Sequence, residues 1–264
     1  IELVIRYGFK RFDGPFFHAI LAGIILAVAF LINTWLTRNN LWKKIHSPFM
    51  KYYPYFIGGL IFLALIFTFA RAPLYSLILA FSLALVGYTP NSFKTILFGC
   101  VGTLLAITVV YSLVAPYFIE NATVFSGAED WNTFSYRVNL LNKYWDVVLV
   151  HPLLGWGNEG WPVMDNLLSI DNHYLWMSLR HGLIIVYILL AFMILTVIEL
   201  IWKGIQIKDI YNRSLYFTLA GAIMIMLIVL STVYLGGQTQ SLLFLILGWA
   251  QGLMKTKYRE VKSA

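Results

Sequence analysis

The chain has 264 residues, of which 60% are hydrophobic and 12% are charged. Soluble domains carry about 25% charged residues, so this composition excludes an ordinary soluble protein and indicates an integral membrane protein. The formal net charge of +7 is compatible with nucleic-acid binding, but the positions of the charges favour an explanation by membrane topology.

Apolar stretches that can cross a bilayer recur along the chain. A membrane-spanning helix needs about 20 apolar residues, and a shorter stretch can be accommodated at modest cost. Seven stretches qualify, the third and the last being short: 17–37, 54–70, 73–88, 95–115, 182–202, 215–235 and 240–254. The fourth contains Cys100, the single cysteine, which excludes an internal disulfide and predicts a small buried side chain. The sequence therefore predicts an all-α polytopic membrane protein with about seven transmembrane helices.

Lysine and arginine are distributed unevenly between the two sides of this predicted bundle. Threading seven spans alternately through a bilayer puts twelve of the 19 basic residues on one side and seven on the other. By the positive-inside rule, the side with twelve is cytoplasmic. We therefore expect four spans in residues 1–115, an outward (periplasmic) loop with short helices in 116–180, and three spans with a basic cytoplasmic tail in 181–264. The loop is net acidic, so nucleic acid is not an expected partner.

The first candidate functional residue, Arg71, directly follows the second span. Its position in Thr-Phe-Ala-Arg predicts a very tight connection between two spans, with Arg71 at the outer end. An ionisable group in such a place is either a functional residue or an interfacial anchor that reaches the lipid headgroups.

Within the loop, residues 131–150 have apolar positions at helical spacing. One stripe contains Val138, Leu141, Trp145, Val148 and Leu149, and beside it fall Arg137, Leu140 and Tyr144. This pattern predicts an amphipathic helix along the outer surface. The planar guanidinium of Arg137 is suited to a pyrophosphate group, although a solvated ion pair with a nearby carboxylate is the alternative.

The helix is followed by the run His151-Pro-Leu-Leu-Gly-Trp-Gly157, which predicts a structured turn back towards the membrane. His151 is expected to be a residue at the helix end.

The later run Asp171-Asn-His-Tyr174 leads into an apolar stretch. Asp171 or Asn172 is a favoured helix N-cap, and Asp171 or His173 is also a candidate general base for a hydroxyl proton.

Aromatic side chains in the loop are candidates for stacking on sugar rings, or for a belt at the membrane interface. They are Trp156, Trp161, Tyr174 and Trp176. No metal site is expected, because His151, His173 and the scattered carboxylates lack a recognisable ligand spacing.

These motifs together resemble the O-antigen ligase and O-antigen polymerase superfamily of bacterial inner-membrane proteins. The shared pattern runs from Arg71 through Arg137, Trp145 and the turn at 151–157 to Asp171-Asn-His-Tyr-Leu175 and Gly182. Members have more spans than seven, so the resemblance implies that further spans precede residue 1.

The resemblance implies a metal-independent, inverting glycosyltransferase without a cofactor. The donor would be a glycan on undecaprenyl pyrophosphate, and the acceptor a hydroxyl of lipid A core, another glycan or a protein. Such a chain would act in O-antigen, lipopolysaccharide or exopolysaccharide synthesis, with its site facing the periplasm. Residues matching Arg71 and Arg137 would hold the pyrophosphate, and Asn172 and Tyr174 are possible glycan contacts.

One position departs from the ligases of this family, in which the motif commonly reads His-Asn-x-Tyr-Leu with the histidine as base. Here Asp171 stands at that position and His173 follows two residues later. If a helix begins here, the two side chains point to different faces, so only one of them is expected to contact the acceptor. The alternative function is a transporter or flippase of lipid-linked glycans without covalent chemistry.

Overall fold

In the computed structural model, the described residues are 5–6, 9–16, 18–44, 52–96, 99, 129–164 and 169–255. They are mostly helical, apart from a small antiparallel pair of strands, β1 (Ile5–Arg6) and β2 (Phe9–Lys10), and a short 3-10 helix, Leu41–Lys44. The α-helices are α1 (Ala19–Arg38), α2 (Tyr53–Phe67), α3 (Arg71–Val86), α4 (Glu129–Val150), α5 (His173–His181), α6 (Leu183–Gln206), α7 (Ile210–Val229) and α8 (Gly237–Lys255).

The chain divides into two compact units. The first unit contains residues 1–88 and 188–264, and the second contains residues 89–187. Helix α6 begins in the second unit and continues into the first.

Small residues allow α3 and α7 of the first unit to pack closely. A side chain on Gly221 would come within 2.8 Å of the Ala80 carbonyl oxygen, and one on Gly87 within 2.8 Å of the Ser214 Cα. Arg213, which is buried, donates a 2.8 Å hydrogen bond from Nε to the Gly87 carbonyl at the end of α3. Such close backbone approach is typical of helix pairs in membranes, where small residues favour van der Waals packing.

Helix α1 lies against α2, α3 and α7 in the same unit. Its Gly23 allows close approach to the ring of Pro73, in the first turn of α3. Further along α1, Asn33 donates to the Pro54 carbonyl at 3.1 Å, and the Trp35 indole donates to the Ser214 hydroxyl at 3.1 Å. These buried bonds satisfy polar groups that would be costly to leave unpaired in an apolar interior.

Three of the described helices are long and apolar enough to cross a membrane: α1, α6 and α7. Two shorter apolar helices, α2 and α3, coincide with the second and third predicted spans. Helix α8 overlaps the last predicted stretch. The fourth stretch, 95–115 with Cys100, lies almost entirely outside the described residues. The prediction of an α-helical membrane protein is therefore confirmed.

The second unit is built around α4 and α5. The helix predicted over 131–150 is confirmed, with observed bounds of Glu129–Val150. Four side chains of this helix form a core with Leu175 and Leu179 of α5: Leu140, Tyr144, Val147 and Val148. The predicted stripe is only partly covered, since Val138, Leu141, Trp145 and Leu149 are exposed.

Candidate functional site

Arg71 is the first residue of α3, and only three residues separate it from the end of α2. The Thr68 hydroxyl donates to the Leu65 carbonyl at 2.7 Å and accepts from the Ala70 amide at 3.2 Å, while Phe69 adopts a positive φ of 48°. The predicted tight connection is therefore confirmed. Arg71 is half-buried. Its charge adds to the positive end of the α3 dipole, a combination that favours a phosphate group.

Arg137 lies on α4, half-buried, in the second unit. Residues three and seven positions further along the helix are Leu140 and Tyr144, which form the core with α5. Helical periodicity therefore puts Arg137 on the side of α4 against which α5 packs.

The neighbouring residue, Tyr136, fastens α4 to the segment that precedes α5. Its hydroxyl donates a 2.7 Å hydrogen bond to the Ser169 carbonyl. The Ser169 hydroxyl in turn donates to Oδ1 of Asp171. Burial raises the pKa of the Tyr136 phenol, and the nearby negative charge of Asp171 raises it further. Tyr136 therefore remains a protonated donor close to the Asp171 carboxylate.

Asn172 is the N-cap of α5. Its backbone is extended, and its side-chain oxygen accepts a 3.0 Å hydrogen bond from the Leu175 amide. Of the two N-cap candidates in the sequence, Asn172 is confirmed. Asp171 precedes the cap and is exposed, whereas His173 is the first residue of the helix and is only 6% exposed. The two candidate bases therefore differ in exposure, and Asp171 lies outside the helix rather than in its first turn.

Burial changes the proton affinity of both residues after the cap. It lowers the pKa of His173 from its usual 6.5 to about 4 and raises the pKa of Tyr174 above its ordinary value. His173 is therefore a neutral imidazole at physiological pH, stacked at 5.9 Å against the Trp176 ring. A base must also hold the proton that it accepts, and burial disfavours a charged imidazolium at this position.

The turn at 151–157 packs against the end of α5 through two glycines. Gly155 has a φ of +68°, and a side chain there would come within 2.7 Å of the Arg180 carbonyl carbon and the His181 nitrogen. Gly182 has a φ of +82°, and a side chain there would lie 2.0 Å from the Leu153 carbonyl oxygen. Both positions therefore need glycine for conformation and for space. The predicted turn is confirmed, and His151 directly follows the end of α4.

Backbone hydrogen bonds hold this turn beside α5. The Trp156 amide donates to the Leu179 carbonyl at 2.7 Å, and the Gly157 amide donates to the Arg180 carbonyl at 3.0 Å. The Arg180 side chain donates to the Asn158 amide oxygen at 3.2 Å and lies over the Trp176 ring, 5.3 Å from its centre. The two backbone bonds satisfy carbonyls at the C-terminal end of α5.

The candidate glycan contacts Trp156 and Trp161 both pack against the core of the second unit. The Trp156 indole donates to the Val147 carbonyl at 3.1 Å, and the His151 and Trp156 rings lie nearly perpendicular with their centres 4.5 Å apart. Part of each tryptophan surface is therefore engaged within the protein. Tyr174 is half-buried in the first turn of α5.

Two residues of this arrangement were missed by the sequence analysis: Tyr136 and Ser169. Their hydrogen bond joins positions 33 residues apart, and neither residue belongs to a periodic or catalytic motif. In the part of the chain that the structure describes, no group of three or more His, Cys, Asp or Glu side chains is placed to hold a metal ion.

A family model described as O-Antigen ligase matches residues 56–186, about half of the chain. That range contains every candidate site residue discussed above, from Arg71 to Tyr174. No curated protein and no solved structure matches the chain. The family indicates ligase or polymerase activity, that is, glycosyl transfer in polysaccharide synthesis. The resemblance seen in the sequence is thus confirmed, and the chain belongs to the O-antigen ligase and polymerase superfamily of membrane proteins.

Proposed function

We propose that this chain transfers a glycan from undecaprenyl pyrophosphate to an acceptor hydroxyl, with Asp171 as the general base. The observation that carries the proposal is the exposed Asp171 carboxylate, which receives the Ser169 hydrogen bond immediately before the N-cap of α5. The choice of Asp171 over His173 follows from their surroundings, because His173 is buried and has a lowered pKa. The acceptor is a hydroxyl of another glycan, of lipid A core or of a protein.

In the proposed reaction, the acceptor oxygen attacks the anomeric carbon of the donor sugar. The new glycosidic bond forms as the bond between that carbon and the pyrophosphate oxygen breaks, with inversion at the carbon. The acceptor proton passes to the Asp171 carboxylate and then to water. The electron pair of the broken bond leaves with undecaprenyl pyrophosphate, so negative charge develops on the leaving oxygen. The residues of this chain need no metal ion in this scheme.

Arg137 and Arg71 are the proposed pyrophosphate ligands. Arg137 is supported by its place on α4, one residue after Tyr136, whose hydroxyl bonds the segment that carries Asp171. Arg71 is supported by its place at the positive end of α3. Guanidinium groups bind phosphate oxygens bidentately and stay charged at any physiological pH, so they stabilise the departing pyrophosphate.

The proposal includes the membrane arrangement expected from the charges. Seven spans cross the inner membrane, residues 116–180 face the periplasm and the basic tail after α8 faces the cytoplasm. Asn172, Tyr174, Trp156 and Trp161 are proposed to contact the glycan with their accessible parts. The bilayer supplies the polyprenyl donor laterally, because its lipid tail stays within the membrane.

Reconstitution of the full-length protein in liposomes tests this function. Lipid-linked glycan extracted from the membranes of the source bacterium serves as donor, and the readouts are new glycosidic bonds and release of undecaprenyl pyrophosphate. We expect both with the wild-type protein. Movement of the lipid-linked glycan across the bilayer without a new glycosidic bond would instead support a flippase and overturn the proposal.

Matched variants test the pyrophosphate ligand within the same assay. Arg137→Ala is expected to abolish transfer while the protein still accumulates in the membrane. Lys143→Ala, which removes an exposed cation from the same helix, is the control and should retain transfer. Equal activity of the two variants would remove Arg137 from the site.

A further inference from the structure

The turn that follows α4 exposes large apolar side chains. Leu153 is 63% exposed and Leu154 is 80% exposed. The preceding residues Leu149 and Val150 are exposed as well. Between Asp146 and Glu159 the sequence contains no Asp, Glu, Lys or Arg. Exposed leucines in an uncharged stretch of this length indicate a surface that meets something other than water.

Helix α4 carries a second exposed apolar surface, which leads into this turn. Its members are spaced three and four residues apart, and they are Val138, Leu141, Trp145 and Leu149. The helix therefore has three faces. One packs on α5, the next is apolar and exposed, and the third is polar and contains Asn139, Asn142, Lys143 and Asp146. A helix with exposed apolar and polar faces side by side is typical of one that lies in a membrane interface.

The turn is fastened to the start of a membrane-spanning helix. The amide of Leu183, the first residue of α6, donates a 2.8 Å hydrogen bond to the Pro152 carbonyl. The adjoining Gly182 lies against the backbone of Leu153. Helix α6 is long and apolar enough to cross a membrane, and it exposes Ile184 and Ile185 in its first turn. The exposed leucines of the turn are therefore held at the level where α6 begins.

We propose that the exposed apolar face of α4 and the Leu153-Leu154 turn are immersed in the lipid at the membrane surface where α6 starts. The occupant of this surface is the bilayer, because the surface continues from the exposed apolar residues of α6. Burying these side chains in lipid removes their apolar area from water. Trp145 fits the same place, since tryptophan is enriched at the boundary between lipid and water.

This immersion has a consequence that rests on the proposed function. Hydrogen bonds from Trp156 and Gly157 tie the turn to the end of α5, and Asp171 precedes the same helix. A turn anchored in lipid would thus hold the Asp171 segment within the length of α5, which has nine residues and is about 14 Å long, of the membrane surface. The pyrophosphate of a lipid-linked donor lies in that surface layer.

Site-directed labelling of the full-length protein in lipid nanodiscs tests the proposal. Cys100, the single cysteine, is replaced by alanine, and one new cysteine at a time carries a nitroxide label. Leu141→Cys and Leu154→Cys probe the apolar surface. Asn142→Cys, on the polar face of the same helix, and Glu159→Cys, on the exposed segment after the turn, are matched controls. Relaxation by oxygen reports contact with lipid, and relaxation by an aqueous nickel chelate reports contact with water.

We expect the ratio of oxygen to nickel accessibility to be several-fold higher at positions 141 and 154 than at 142 and 159. Similar ratios at all four positions would show that the surface is in water and would overturn the proposal. Protection of positions 141 and 154 from both reagents would also overturn it, because that surface would then be covered by protein, either another part of this chain or a second copy. The measurement detects lipid contact without turnover, so its result is independent of the proposed reaction.

Discussion

The hydroxyl of Tyr136 on α4 donates a 2.7 Å hydrogen bond to the backbone carbonyl of Ser169, two residues before Asp171. Ser169 then donates to the Asp171 carboxylate. Through this pair of bonds the helix that carries Arg137 also fixes the segment that carries the proposed base. These two hydrogen bonds explain how a long loop can hold the proposed pyrophosphate ligand, Arg137, and the proposed base, Asp171, in a defined arrangement.

Removal of the Tyr136 hydroxyl tests this tether. Tyr136→Phe is expected to lower the rate of glycan transfer about fivefold, since one net hydrogen bond contributes about 1 kcal/mol. The matched control is Tyr144→Phe, which removes another hydroxyl of the same helix, one that accepts a hydrogen bond from the Met164 amide. A positioning role predicts a lower kcat with little change in KM for the donor. Equal effects of the two substitutions on kcat would show that the tether has no special role.

Backbone atoms lie so close to Gly155 and Gly182 that a larger residue at either position is expected to destabilise the protein. Gly182→Ala is expected to destabilise the protein by at least about 3 kcal/mol, because the new methyl group meets the Leu153 carbonyl and the backbone has a positive φ. Gly157 also has a positive φ, of +62°, but a side chain there meets nothing within 4 Å. Gly157→Ala should therefore cost only about 1 kcal/mol.

Thermal unfolding of the purified variants in detergent checks this difference. The Gly182→Ala and Gly155→Ala proteins should unfold at clearly lower temperatures than Gly157→Ala. Similar unfolding temperatures for all three would contradict the packing of the turn against α5.

The buried His173 predicts a loss of stability in acid. Its pKa is about 4 in the folded protein and about 6.5 when unfolded, so the unfolded chain binds more protons between these values. The contribution of neutral His173 to the free energy of unfolding is fully present above pH 6.5. It is lost as the pH falls towards 4, a change of about 3 kcal/mol. His173→Phe should flatten the dependence of unfolding on pH in this window.

The control for His173 is His181→Phe, which removes an exposed histidine from the same helix. That variant should retain the acid dependence of the wild-type protein. If His173→Phe and the wild-type protein lose stability equally between pH 6.5 and 4, then His173 is not the titrating group.

Local signals in the sequence predicted much of this architecture. Apolar stretches of sufficient length indicated the positions of α1, α2, α3, α6, α7 and α8, and helical spacing gave α4 to within two residues. The preferences of proline and glycine predicted the Pro152 to Gly157 turn, and the preferences of aspartate and asparagine narrowed the N-cap of α5 to Asp171 or Asn172. These features depend on neighbouring residues, so one sequence is enough to recognise them.

The sequence could not show in the same way which apolar stripe of α4 packs against α5. Both Leu140 with Tyr144 and Leu141 with Trp145 form apolar stripes, but only the first pair is covered by α5. In a membrane protein, lipid as well as protein can meet an apolar stripe, so periodicity does not distinguish a core from a lipid-facing surface. The Tyr136 to Ser169 bond escaped detection for a different reason, because it depends on tertiary packing across 33 residues.

The most direct measurement of the central claim is the rate of glycan transfer by Asp171→Asn in the liposome assay. The substitution keeps the size of the side chain but removes its ability to accept the acceptor proton. We predict that Asp171→Asn abolishes both new glycosidic bonds and release of undecaprenyl pyrophosphate, while Glu159→Gln, which neutralises another exposed carboxylate of the same unit, stays active. Transfer by Asp171→Asn at the wild-type rate would contradict the assignment of Asp171 as the base.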